Sequence, residues 1–155
     1  MQKIFPQLLA WSVLVVVTTT SSPAGAAADD WVAQIKVTQG SVTIQRDNRS
    51  LPGDLGKRLK ENDIIVTSND SAVGMTFNDN SMLALGANSE VVLRRYSYDP
   101  TTYIGAFDAV VNRGTVSVTT GNIVSQSSDA MRLMTPDAEL RPGKPGAYAI
   151  SVEGR

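Results

Sequence analysis

Cysteine and histidine are both absent from the 155 residues. That excludes a disulfide framework, thiol nucleophiles, imidazole general bases and the zinc ligand sets built on those side chains. Aromatic residues are scarce at 6% (Trp 2, Tyr 4, Phe 3), which leaves little for the deep aromatic cleft of a glycan hydrolase. Charge of one sign is lacking too: 14 Lys+Arg stand against 15 Asp+Glu, a net of −1. Nothing that close to neutral draws the chain strongly to nucleic acid or to an anionic membrane, and no nucleic-acid partner is expected. Carboxylate, lysine, tyrosine and serine chemistry stay open, and no cofactor is implied.

The one long apolar run lies at the start. Lys3 precedes Leu8 to Val17, a polar stretch ends at Pro23, and Ala24-Gly25-Ala26 and Ala26-Ala27-Ala28 supply small-x-small sites. Charged, apolar and small zones in that order predict a secretory signal peptide over residues 1–28. The run is shorter than the roughly 20 residues a spanning helix needs, so no transmembrane anchor is expected after cleavage. Residues 29–155 then form one domain. Their length suits a single core without disulfides.

Past the leader no stretch carries helical periodicity. Short β-rich runs end instead in Gly, Asn, Asp or Pro. Trp31 to Val37, Ser41 to Gln45 and Asp63 to Thr67 read as strands, with residues 47–56 as a loop between the second and third. Ala72 to Phe77 places Val73, Met75 and Phe77 on one face, and Ser81 to Leu85 does the same with Leu83 and Leu85. Glu90 to Tyr98 is the longest run, closed by Asp99-Pro100. Further strands are expected at 103–111, 115–119, 121–125, 131–134 and 147–152. A breaker cluster, Pro142 to Gly146, makes the last of these a strand or a loose tail. Turns at this spacing predict an all-β domain: a short-stranded roll, a sandwich or a small β-solenoid-like stack.

Three segments carry candidate chemistry. Asn78-Asp79-Asn80-Ser81 offers oxygen ligands, but calcium needs six or more, and a turn chosen for its backbone explains the residues better. No metal is expected there. Glu61 and Asp63 could form a carboxylate pair of the hydrolytic kind. The neighbouring Lys57, Arg58 and Lys60 favour ionisation of both acids and argue against it, so no catalytic residue is assigned. In Arg94 to Tyr98, strand alternation would line Arg94, Tyr96 and Tyr98 along one face. A planar cation beside two amphipathic rings is a grouping enriched at binding surfaces, and these three are the expected partner-binding residues.

The order of motifs resembles the FecR domain family of extracytoplasmic proteins. Val37-Thr38-Gln39-Gly40-Ser41-Val42, Asn62 to Thr67, Phe77 to Gly86 and Asn88-Ser89-Glu90-Val91 carry it. Tyr98-Asp99-Pro100, Arg113-Gly114-Thr115-Val116, Thr120 to Ile123 and Met134-Thr135-Pro136 follow in the same order. Residues 140–146 depart from the family's usual Ile-Arg-Gly-Thr-like closing string. The resemblance implies a stand-alone, non-enzymatic module in the periplasm or secreted, contacting an envelope or outer-membrane protein in signalling or scaffolding. Two alternatives stand beside it. One is an envelope glycan-binding protein with weak carboxylate-dependent hydrolysis through Glu61 and Asp63. The other is a structural envelope protein that self-assembles through strand edges.

Overall fold

A computed structural model describes residues 30–153; the expected signal peptide and its cleavage sites lie outside the described residues. Alternating apolar and polar side chains set the strands β1 (Ala33–Gln39), β2 (Val42–Arg46), β3 (Arg49–Pro52), β4 (Arg58–Leu59), β5 (Ile64–Thr67), β6 (Ala72–Phe77), β7 (Met82–Leu85) and β8 (Glu90–Tyr98). The long β9 (Gly105–Thr119) follows, then one helical turn α1 (Asn122–Gln126), β10 (Met131–Met134), β11 (Glu139–Leu140) and β12 (Ala147–Val152). The protein is all-β, as its turn spacing predicts.

One curled sheet doubles over on itself, and β9 belongs to both halves. The first half of β9 pairs with β8 and, in parallel, with β10; its second half pairs with β7 and β12. One layer therefore runs β3-β2-β5-β8-β9-β10-β11 and the other β4-β1-β6-β7-β9-β12. Between them lies one apolar core, with Ile35, Met75, Leu83, Leu85 and Val118 from one layer and Ile44, Ile65, Leu93, Phe107 and Leu133 from the other. Each such side chain stabilises the fold by about 1.5–3 kcal/mol when fully buried.

The crossings between layers repeat in pairs. Val37-Thr38-Gln39-Gly40-Ser41-Val42 turns β1 into β2, and Val111-Asn112-Arg113-Gly114-Thr115-Val116 bends β9. Gly40 and Gly114 both hold left-handed backbone, at φ 69 and 86°. A buried serine stacks on each. The Ser71 hydroxyl accepts the Ser41 N–H at 2.9 Å, and the Ser89 hydroxyl accepts the Thr115 N–H at 3.1 Å. Those serines end a second repeated unit, in which Asn62-Asp63 and Asp70-Ser71 recur eighteen residues later as Asn80-Ser81 and Asn88-Ser89. The first residue of each of these four pairs has positive φ and the second is buried. Asn and Asp tolerate left-handed backbone, and the buried oxygen that follows satisfies amides the turn leaves open. The pairings β1·β6 and β2·β5 mirror β9·β8 and β9·β7, so the sheet has an approximate internal two-fold.

Four sequence expectations need correction. Residues 47–56 are not all loop: Asp47 and Asn48, at φ 49 and 59°, form a tight hairpin turn of the primed kind, and β3 pairs with β2. The runs expected at 103–111 and 115–119 are one strand, Gly105–Thr119, which Gly114 bends without breaking; Tyr103 and Ile104 stay in the hairpin loop before it. Residues 121–125 contribute to a helical turn. Ile123 and Val124 are both buried, which a strand, with neighbours on opposite faces, would not achieve. Finally, β8 is bulged between Leu93 and Arg95, and this breaks the alternation on which the Arg94, Tyr96 and Tyr98 face depends.

Candidate functional site

Tyr96 lies where the three candidate segments meet, and it faces the core. Beyond the bulge its ring turns inward, only 8% exposed, against Phe77 at 5.3 Å and Phe107 at 5.9 Å between ring centroids. Its hydroxyl accepts the Asp79 N–H at 2.8 Å and donates to Asp79 Oδ1 at 3.0 Å, while its own N–H donates to Glu61 Oε1 at 2.5 Å. Burial first, and the Asp79 charge second, hold the phenol far above its ordinary range. Tyr96 therefore does not share an exposed face with Arg94. It ties the Asn78–Ser81 turn to the Glu61 segment.

Both oxygens of buried Asp79 are committed to neighbours. Oδ1 takes the Tyr96 hydroxyl and the Ser81 N–H, and Oδ2 takes the Ser81 hydroxyl at 2.6 Å. The Asp79 carbonyl accepts the Asn122 N–H and the Ser81 oxygen accepts the Gly121 N–H, so this turn caps the start of α1. A side chain on Gly121 would reach 2.4 Å from the Asp79 carbonyl oxygen. The segment is a packed junction, and among the described residues no group of three or more acids that could hold a metal ion is found.

Glu61 and Asp63 are separated in role. Asp63 is fully buried and accepts a two-pronged contact from Arg46 at 2.7 and 2.6 Å, with the Lys60 N–H at 2.8 Å. The Asp63 carboxylate holds the Arg46 guanidinium above its ordinary pKa. Removing one partner of such a pair costs roughly 3–5 kcal/mol. Glu61 stays at the surface, beside an open cleft of about 570 Å³ lined by Asp30, Arg46, Asp47, Lys60, Asn62 and Tyr96. Lys60 pairs with Asp30 at 2.5 Å across it and holds that carboxyl below its usual range. The sequence reading of this stretch as solvated holds for Glu61 and fails for Asp63.

On the outer face of β8, Arg95 and Arg132 flank Asp108 at 3.0 and 2.8 Å, a charge ladder across β8, β9 and β10. Arg94 is the bulge residue and is exposed. Tyr98 is half-buried and receives the Asn122 side-chain amide at 3.2 Å. Its ring lies 6.4 Å from that of Tyr103 at the β8–β9 hairpin tip. Tyr103 has φ 60° and is 44% exposed beside Ile104 at 65%. A bulky residue in left-handed backbone is an outlier, and such strain concentrates at binding sites.

A second opening lies at the other end of the roll, where β11 and β12 close the two layers incompletely. It encloses about 650 Å³, lined by Leu140, Ile150 and Val152 with Asp137, Glu139 and Glu153. Sequence reading placed a strand at 147–152 but not the cleft beneath it. The available signal was the alternation of Tyr148, Ile150 and Val152 with Ala147, Ala149 and Ser151.

No family model, curated protein or solved structure matches the chain.

Proposed function

We propose that this chain is a non-enzymatic extracytoplasmic binding module of FecR-domain type, exported through a cleaved signal peptide and contacting an envelope protein in signalling or scaffolding. One observation carries the non-catalytic half of this reading. The buried carboxylates of Asp63, Asp79 and Asp108 each accept two or more internal donors, and the Tyr96 hydroxyl is held by Asp79. Hydrolysis by paired acids needs one carboxyl held protonated and within reach of substrate. Asp63 is locked to a guanidinium, and in the cleft beside Glu61 the Asp30 carboxyl is paired with Lys60, which holds it below its usual range. The surface offers clefts and exposed apolar side chains, which suit recognition. The family assignment rests on the residue order alone.

A second reading, glycan binding, draws on the Tyr98 and Tyr103 rings with the Asn122 amide at the β8–β9 hairpin. One pair of assays separates the readings. The purified exported chain should release no soluble fragments from peptidoglycan or other envelope glycans, and cross-linking in an envelope fraction should yield a discrete protein. Retention on insoluble glycan alone would select the second reading. Glycan cleavage that disappears in Glu61→Gln would overturn the non-catalytic assignment.

A further inference from the structure

Two residues are poorly suited to their own backbone, and both belong to exposed apolar surface. Gly74 sits inside β6, where glycine weakens a strand because it has no side chain to pack. Its backbone does not require glycine: positive φ among the described glycines falls at Gly40, Gly56 and Gly114. Packing does not require it either, since a Cβ at Gly74 would lie 3.6 Å from Val37 Cβ, an ordinary contact. At the other strand glycines, Gly105 and Gly114, a Cβ would collide with Ser97 and Ser89. The bulge opposite Gly74 belongs to the facing strand, β1. A strand glycine with none of these reasons is found where another molecule comes close to the backbone. Tyr103 is the reverse case. Of the seven non-glycine residues with positive φ among the described residues, six are Asn or Asp and the seventh is Tyr103. Strain of that kind persists where the side chain has a task.

Gly74 floors a recess on the outer face of its layer. Val37, Gly74, Ala84 and Ser117 stand side by side across β1, β6, β7 and β9, and Met82 rises from the next row. Val37 and Met82 are 62% and 49% exposed. The recess holds about 230 Å³. That is below the roughly 300–1,000 Å³ of small-molecule sites and suits one or two side chains. Lys36 on its rim donates to Gln34 and pairs with no carboxylate among the described residues. Tyr103 and Ile104, 44% and 65% exposed, supply the opposite shape, an apolar projection at the β8–β9 tip. The projection is held in place: the Asp99 N–H donates to the Ile104 carbonyl, and the Asp99 carboxylate accepts the Thr101 and Thr102 N–H groups. A fixed projection loses little freedom on docking. Asp99 pairs with no cation among the described residues. One chain thus carries an apolar projection beside an unpaired acid and an apolar recess beside an unpaired cation. Together they hold four of the five exposed large hydrophobics among the described residues.

We propose that the Tyr103–Ile104 tip of one molecule docks in the Gly74 recess of a second copy of this chain, with Asp99 facing Lys36. The tip extends one layer and the recess lies on the outer face of the other. The contact is therefore heterologous and joins copies head to tail. Its small area makes it weak. This inference goes beyond the binding-module reading and does not depend on what that module captures.

Sedimentation velocity of the exported chain, from micromolar to millimolar concentration, should show weak, concentration-dependent association. Gly74→Val fills the recess with a residue that suits a strand. It should melt no lower than the native chain yet associate at least about tenfold more weakly. Tyr103→Asn relieves the left-handed backbone and should behave in the same way. A residue that serves the fold alone would not give that split between melting and association. Mixing the two variants leaves one intact contact, the tip of the Gly74→Val chain in the recess of the Tyr103→Asn chain. The mixture should form a heterodimer at about native affinity and nothing larger. A native chain that stays monomeric at millimolar concentration overturns the proposal. Native-like association by either folded variant, or a mixture that stays monomeric, overturns it too. If Gly74→Val does not fold, Met82→Glu at the exposed rim replaces it in every arm. A monomeric chain whose capture of an envelope protein is lost in Gly74→Val would assign the recess to that protein and overturn the second copy.

Discussion

Tyr96 shows how far one side chain departs from its position in the sequence. A bulge at Arg94 turns it from the surface into the core, where its hydroxyl completes the Asp79 turn. Its phenol is raised above the ordinary value of 10.0. A group whose folded pKa is raised contributes stability that is fully present below the unfolded pKa. That stability is lost as pH climbs from about 10 toward the folded value, by roughly 1.4 kcal/mol per pH unit. Denaturant melts should therefore show stability falling steeply above about pH 10 in the native sequence. Tyr96→Phe should lose about 1–3 kcal/mol at neutral pH, since the Asp79 N–H loses its partner, and should show a shallower alkaline fall. An unchanged alkaline slope in Tyr96→Phe would remove Tyr96 from that account.

Among the elements, β9 depends most on a single residue. Gly114 bends it from one layer into the other at φ 86°, and a Cβ there would meet Ser89 Oγ at 2.2 Å and Ser89 Cα at 2.5 Å. Gly56 has a similar φ of 83° with nothing within 4 Å, so it isolates backbone strain from collision. Gly56→Ala should cost about 1–2 kcal/mol, the price of left-handed backbone for an L-residue. Gly114→Ala should cost at least about twice that in thermal or chemical melts, because the Ser89 backbone must also move. Equal losses at the two sites would mean that the arc is not close-packed. Much of this was legible beforehand: the apolar alternation of β6 and β7, and the Asn and Asp turns, follow from side-chain chemistry that acts locally. The β8 bulge and the continuity of β9 were not, because a partner strand sets both.

At the scale of the molecule, β9 is flanked on both sides along most of its length, whereas β12, among the described residues, pairs on one side only. Amides exchange through openings whose free energy follows local burial and pairing. The amides at 107–111 and 116–118 should thus exchange slowest, and those of Ala147, Ala149 and Ser151 among the fastest of the strand residues. A β9 that exchanges as readily as β12 would contradict the pairing that holds the two layers together. The sequence by itself determined the all-β class, the turn positions and the alternating core faces, because backbone preference and apolar periodicity act over a few residues. It also contained the repeated Val-x-x-Gly-Ser/Thr-Val arcs, which become recognisable as a pair once each is seen under its buried serine. Only the tertiary structure decided that Asp63 and Tyr96 are interior, that Arg94 is stranded on a bulge, and that β12 overhangs an acidic cleft. Each of those depends on which distant strand arrives alongside, and that is settled by closing one core between two layers.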